Sequence, residues 1–87
     1  MRNYFVYLLR CGDNELYIGF TRDLKKRVQD HKSGNGCQFT KNKLPIELVY
    51  YETYTDFYQA KSRENQIKGW GREKKENLIK YGKPVLD

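Results

Sequence analysis

Eighty-seven residues, 32% charged yet 15% aromatic, suit one domain (residues 1–87) with a single small core; a chain this long buries roughly 60–65% of its unfolded surface, and its aromatics exclude the composition of a disordered tail. A formal charge of +6 calls for a polyanionic partner, nucleic acid first, although an acidic protein or membrane surface meets the same electrostatics. Cys11 and Cys37 with one histidine are too few for a zinc site and read as reduced thiols, and the short apolar run before Arg10 is neither a signal-peptide core nor a membrane span, so the expected location is the cytoplasm, away from membranes.

Residues 4–10 (YFVYLLR) are apolar on both alternating faces, which predicts a central strand covered on each side. The CGDN segment turns the chain, and residues 15–20 (ELYIGF) return as a second strand. Side chains alternate along strands, so Tyr7 and Tyr17 share a face only if the hairpin loop is odd, as with Gly12-Asp13-Asn14. Tyr7 then stands opposite Gly19, whose missing side chain leaves space beside the phenol for either packing or a pocket.

Thr21 or Asp23 can cap a helix over residues 22–33, ended by Ser33-Gly34-Asn35-Gly36. Leu24, Val28 and His31 form its inward stripe, and Arg27 and His31, four apart, stack at the stripe's border. The CQFTKNKLP stretch reads as a loop, and residues 46–54 (IELVYYETY) as a third strand. Residues 56–69 form a helix capped by Thr55 or Asp56, with Phe57, Ala60, Glu64 and Ile67 facing inward; a carboxylate on that line needs a cation, a metal or hydrogen-bond donors. After Gly69-Trp70-Gly71, where Trp70 reads as a plug against the core, residues 72–81 make a basic helix, and most of the excess charge lies between Lys61 and Lys83. The class is α/β of the α+β kind: a three-stranded antiparallel sheet flanked by helices.

Four motifs in order resemble the GIY-YIG nuclease domain, in its minimal standalone bacterial form. They are FVY at Phe5-Val6-Tyr7, YIG at Tyr17-Ile18-Gly19, DLKKRVQDH with Arg27 and His31, and SRENQIKGW centred on Glu64. The resemblance runs from about Tyr4 to Ile79; Phe5 and Val6 stand where the family has glycine and isoleucine, and neither change removes a reactive group. It implies the fold read above and metal-dependent hydrolysis of a DNA phosphodiester, with Glu64 holding one Mg²⁺ or Mn²⁺, Arg27 on the scissile phosphate, Tyr7 or Tyr17 activating water, and His31 as proton relay or hydrogen-bond partner. The recognition module of larger members has no counterpart, implying low sequence specificity, with branched or damaged DNA and a role in DNA repair or processing as the expected setting.

Each role makes physical sense. A lone carboxylate with water suits Mg²⁺, and the guanidinium fork matches phosphate oxygens. A phenol with pKa about 10 acting near pH 7 faces a gap of roughly 4 kcal/mol, which nearby cations must close. The plainer readings are that Glu64 pairs with Arg63, Lys68 or Arg27, that Arg27 is a surface cation and that His31 is a helix-end residue. Lys25, Lys26, Lys32, Thr40, Lys43 and Lys68 are candidate nucleic-acid contacts or simply cap, loop and surface residues, as is Thr21. Tyr50, Tyr51, Tyr54, Tyr58 and Tyr81 read as packing or surface residues. Two alternatives to an endonuclease remain at this stage: a catalytically silent nucleic-acid binder, and a protein-interaction module.

Overall fold

Val6, Tyr7, Leu8 and Leu9 are wholly buried in the middle strand, as a run apolar on both faces requires. The structure is a computed structural model describing residues 3–82, so Lys83 lies outside the described residues. Its elements are β1 (Tyr4–Arg10), β2 (Leu16–Thr21), α1 (Leu24–Lys32), α2 (Gln38–Lys41), β3 (Glu47–Tyr54), α3 (Phe57–Lys68) and α4 (Arg72–Tyr81). The sheet is antiparallel in the order β2-β1-β3. Among the described residues no helix is long and apolar enough to cross a membrane.

The β1–β2 hairpin has the odd loop: the Cys11 N–H donates to the Glu15 carbonyl, the Asn14 N–H closes a turn on Cys11, and Asn14 takes the left-handed conformation at φ 70°. Tyr7 therefore faces Gly19, and Leu9 faces Tyr17. Between Leu8 and Leu9 the β1–β3 register shifts by a bulge, which brings both Leu48 and Tyr51 to the Tyr7 face although they are three residues apart.

The alternation of β1 splits the core into two clusters. Val6, Leu8 and Ile18 pack against Ala60, Ile67 and Leu78 of α3 and α4, with Trp70 plugging the edge. Tyr7 and Leu9 pack with Cys11, Val28 and Ile46 beneath α1. The sheet is thus sandwiched between two helical layers.

Three expectations need correction. The helix after β2 starts at Leu24 because Thr21 ends the strand and Asp23 caps, its carboxylate accepting the Lys26 N–H at 3.1 Å. Residues 38–41 are a helical turn and not plain loop, too short to show any periodicity. Phe57, placed on the inward stripe, is 42% exposed: it stacks edge-on against Tyr4 and Phe20 at the rim of the sheet instead of entering the core.

Candidate active site

Strand β1 presents Tyr7 toward α1, and the glycine opposite it decides where the phenol goes. A β-carbon on Gly19 would overlap the Tyr7 ring and hydroxyl, so the phenol lies directly over that backbone. The space beside the phenol is a packing accommodation. The hydroxyl is 3.2 Å from Nε2 of His31, which α1 carries one turn beyond Arg27. Tyr7 is 0% and His31 1% exposed. The opposite side of the imidazole is closed by Gly36, where a β-carbon would strike the ring.

Nδ1 of His31 is 2.8 Å from the Thr40 hydroxyl, which also lies 3.5 Å from the Cys37 carbonyl. The Cys37 thiol is a further neighbour of that hydroxyl at 3.6 Å, and with the Thr40 proton on the carbonyl, which can only accept, the hydroxyl receives one from Nδ1. That tautomer, assigned from the network, leaves Nε2 free to accept the Tyr7 O–H. Thr40 is completely buried. It is thus removed from the set of phosphate contacts: a hydroxyl sealed against an imidazole cannot meet substrate, and its task is to orient His31.

Tyr17 packs on the same imidazole at a centroid distance of 5.2 Å and on Phe39 of α2 at 5.6 Å, and its ring centroid is 6.4 Å from that of Tyr7. It is half-buried where Tyr7 is sealed. Burial pushes the Tyr7 phenol up to about 12, and the Arg27 guanidinium opposes that rise. The Tyr17 phenol is also raised, by burial first and then by hydrogen bonding to the Cys37 thiol, with Arg27 again opposing. His31 is held below its ordinary value by burial and then by Arg27. Arg27 itself is exposed and forms no ion pair among the described residues.

Glu64 comes from the other helical layer. It is 5% exposed on the Ala60–Ile67 stripe of α3, and its charge is felt at Tyr7 as the last of the influences on that phenol. Its partners are Lys61, 2.8 Å from Oε1, and Lys68, 3.1 Å from Oε2. Arg63, a candidate partner by sequence, turns instead to Glu52, and Lys68 is committed to the carboxylate. Lys61 was missed as a partner although the i, i+3 spacing carries it; Gly36 was missed because nothing in the sequence ties a loop glycine to an imidazole.

The other cations divide by partner. Lys26 pairs with Asp30, and Lys43 pairs with Asp13 while lying over the Phe39 ring at 3.9 Å. Lys25 and Lys32 have no ion pair among the described residues and stand on the flank of α1 that faces β3. Thr21 is buried and hydrogen-bonded to the Asp23 backbone.

The result is a small α+β domain in which two phenols on the sheet meet an imidazole and an arginine on α1, with a buried glutamate on α3. The chain belongs to the GIY-YIG catalytic domain family, whose model matches residues 3–77. Within it, the chain is 43% identical over 82 residues to a UPF0213 protein of Staphylococcus epidermidis, covering 94% of this chain and 100% of that one. It is 38% identical to a UPF0213 protein of Haloquadratum walsbyi, covering 94% and 92%. The solution NMR structure of a UPF0213 protein from Bacillus halodurans matches with a TM-score of 0.61 at 35% identity, over 90% of this chain and 83% of that one.

Proposed function

We propose that the protein is a divalent-metal-dependent endonuclease that hydrolyses DNA phosphodiesters with little sequence preference, choosing substrates by structure in DNA repair or processing. The observation that carries this reading is the convergence of Tyr7, Tyr17 and His31 on one face of the sheet, with Arg27 close enough to ease ionisation of both phenols.

Among the described residues no three His, Cys, Asp or Glu side chains cluster, which rules out a cage of protein ligands. A single buried carboxylate fits a hydrated Mg²⁺ or Mn²⁺, and the two lysines on Glu64 are half-exposed and free to swing away. When bound there, such an ion would offset charge on the phosphate and ease ionisation of water.

The chain's own groups divide the remaining work by exposure. Tyr17 is the phenol open enough to meet a water. Tyr7, His31 and Thr40 form a buried chain behind it that fixes α1 and hence Arg27. Arg27 clamps the phosphate through its fork of donors and stabilises charge in the transition state. Neutral His31 accepts a hydrogen bond from the Tyr7 O–H at Nε2, and with that phenol pushed up to about 12 and the imidazole held below its ordinary value the proton stays on Tyr7.

Tyr17→Phe, Arg27→Ala and Glu64→Ala should each lower nicking of plasmid DNA in Mg²⁺ or Mn²⁺ by at least about a hundredfold with unchanged circular dichroism. Tyr7→Phe should instead cost stability, about 1–2 kcal/mol for a buried hydrogen bond. Full activity in Arg27→Ala and Glu64→Ala would sink the reading. One observation favours the rival, a silent nucleic-acid binder: Glu64 is already neutralised by Lys61 and Lys68. That rival requires salt-sensitive DNA binding, unaffected by Glu64→Ala, and no cleavage.

A further inference from the structure

Helix α1 has a second flank, and it borders a cleft of about 630 Å³ that opens toward the edge strand β3. Tyr51 and Phe5 line the cleft from the sheet, and Arg22, Lys25 and Lys32 line it from α1 and the turn before it. Three cations meet one carboxylate there, that of Asp23, and it is occupied in capping α1. None of the three forms an ion pair among the described residues, in contrast to Lys26 and Lys43; the Arg22 guanidinium lies over the Tyr4 ring at 5.8 Å, which leaves Lys25 and Lys32 as the uncommitted pair.

The Tyr51 ring is 53% exposed and braced edge-on by Phe5 at a centroid distance of 6.3 Å. A large ring left half in solvent on a strand is out of keeping with a packing role. Tyr51 is also the cross-strand partner of Tyr7, so the cleft begins one strand over from the candidate active site on the same face of the sheet. Arg27 and His31 occupy the other flank of the same helix, a separation on the order of the roughly 10 Å diameter of a helix.

We propose that this cleft holds an unpaired nucleotide of the nucleic acid on which the protein acts, its base stacked on Tyr51 and the adjoining phosphates held by Lys25 and Lys32. An exposed aromatic face beneath uncommitted cations is the combination that single strands select: the ring accepts any base, and the cations follow the backbone. An apolar helix would leave the Lys25 and Lys32 charges without partners, and an acidic peptide would leave the ring unused. The proposal rests on nucleic acid being the partner and sharpens it: the preferred substrate carries a single-stranded arm beside the duplex, so that the arm crosses α1 between Arg27 and Tyr51.

The test is fluorescence anisotropy with the full chain in EDTA, so that binding is read without hydrolysis, comparing a blunt duplex with the same duplex bearing a short single-stranded arm. The wild type should favour the armed DNA. Tyr51→Ala should weaken armed binding by about tenfold and leave blunt binding unchanged, while Tyr51→Phe retains the preference. Lys25→Gln combined with Lys32→Gln should flatten the salt dependence of armed binding by roughly one to two in slope. Equal wild-type affinity for both DNAs, or Tyr51→Ala lowering both alike or neither, overturns the proposal. Armed binding that depends on Tyr51 without any cleavage in Mg²⁺ would leave the nucleotide site standing and remove the hydrolase reading; cleavage indifferent to Tyr51 would do the reverse.

Discussion

Two glycines shape the site by what they lack. Gly19 lies under the Tyr7 phenol and Gly36 against the His31 ring, and neither neighbour can retreat because both are sealed in the interior. Gly19→Ala should therefore cost about 1–3 kcal/mol in urea unfolding, as overpacking does. Gly71→Ala, with open space around its added carbon, should be near neutral. His31 is the single histidine, so its imidazole resonances can be followed by NMR without ambiguity. Its native pKa lies below the ordinary 6.5, through burial and then Arg27, so the unfolded chain binds the proton first on acidification. Its contribution to stability is fully present above about pH 6.5 and declines as pH falls through the window down to the native value. A resonance titrating above 6.5 would contradict the buried neutral ring. Parity of a three-residue loop was enough to bring Tyr7 opposite Gly19 from sequence. The Thr40 hydroxyl stayed open in the sequence between a phosphate contact and a cap or loop residue because burial in a helical turn leaves no trace in residue type.

At the scale of elements, the sheet was legible and its accessories were not. Strand β1 announces itself by being apolar on both faces, and α3 by Asp56 and the Ala60, Glu64, Ile67 spacing. The α2 turn has no period to detect, and the docking of α4 joins residues far apart in sequence, Leu78 in the core and a polar contact to the end of β1. Arg10, at the end of β1, grips Glu76 of α4 with two hydrogen bonds of 2.9 and 2.6 Å, and Arg72 adds a third at 3.0 Å. The Arg10 bond, with help from Arg72, holds the Glu76 carboxyl down at about 2. Because the native value is depressed, this stabilisation is present above the ordinary carboxylate range near 4.3 and is lost as pH falls toward 2. Glu76→Gln should destabilise the protein by about 1 kcal/mol at neutral pH, a figure discounted for a pair that is about a third exposed. The same variant should lose less stability on acidification to pH 2.5, as read by urea midpoints.

At the scale of the molecule, pairing inside the fold removes many of the cations from the surface charge. Lys61 and Lys68 on α3 and Arg72 on α4 are committed to carboxylates, as are Arg10, Arg63, Lys26 and Lys43. Among the described residues, the cations without an ion pair fall into two sets, Arg22, Lys25, Arg27 and Lys32 along α1 and the turn before it, and Lys41, Lys74, Lys75 and Lys80 on α2 and α4. The site is also assembled from both helical layers, with Glu64 behind the sheet and Arg27 in front of it, a placement sequence spacing could not reveal because it depends on which face each helix covers.

The lysine clamp on Glu64 has a practical side. Its carboxylate is electrically balanced by the chain's own ammonium groups, so nothing in the fold waits for an ion to complete it. Domains built around a metal cage collapse when stripped; this one should keep its thermal midpoint within about 1 °C in excess EDTA, which a melting curve would check, whatever chelation does to catalysis. Shortage of divalent ions would then idle the protein without unfolding it, leaving an intact pool ready to respond when supply returns.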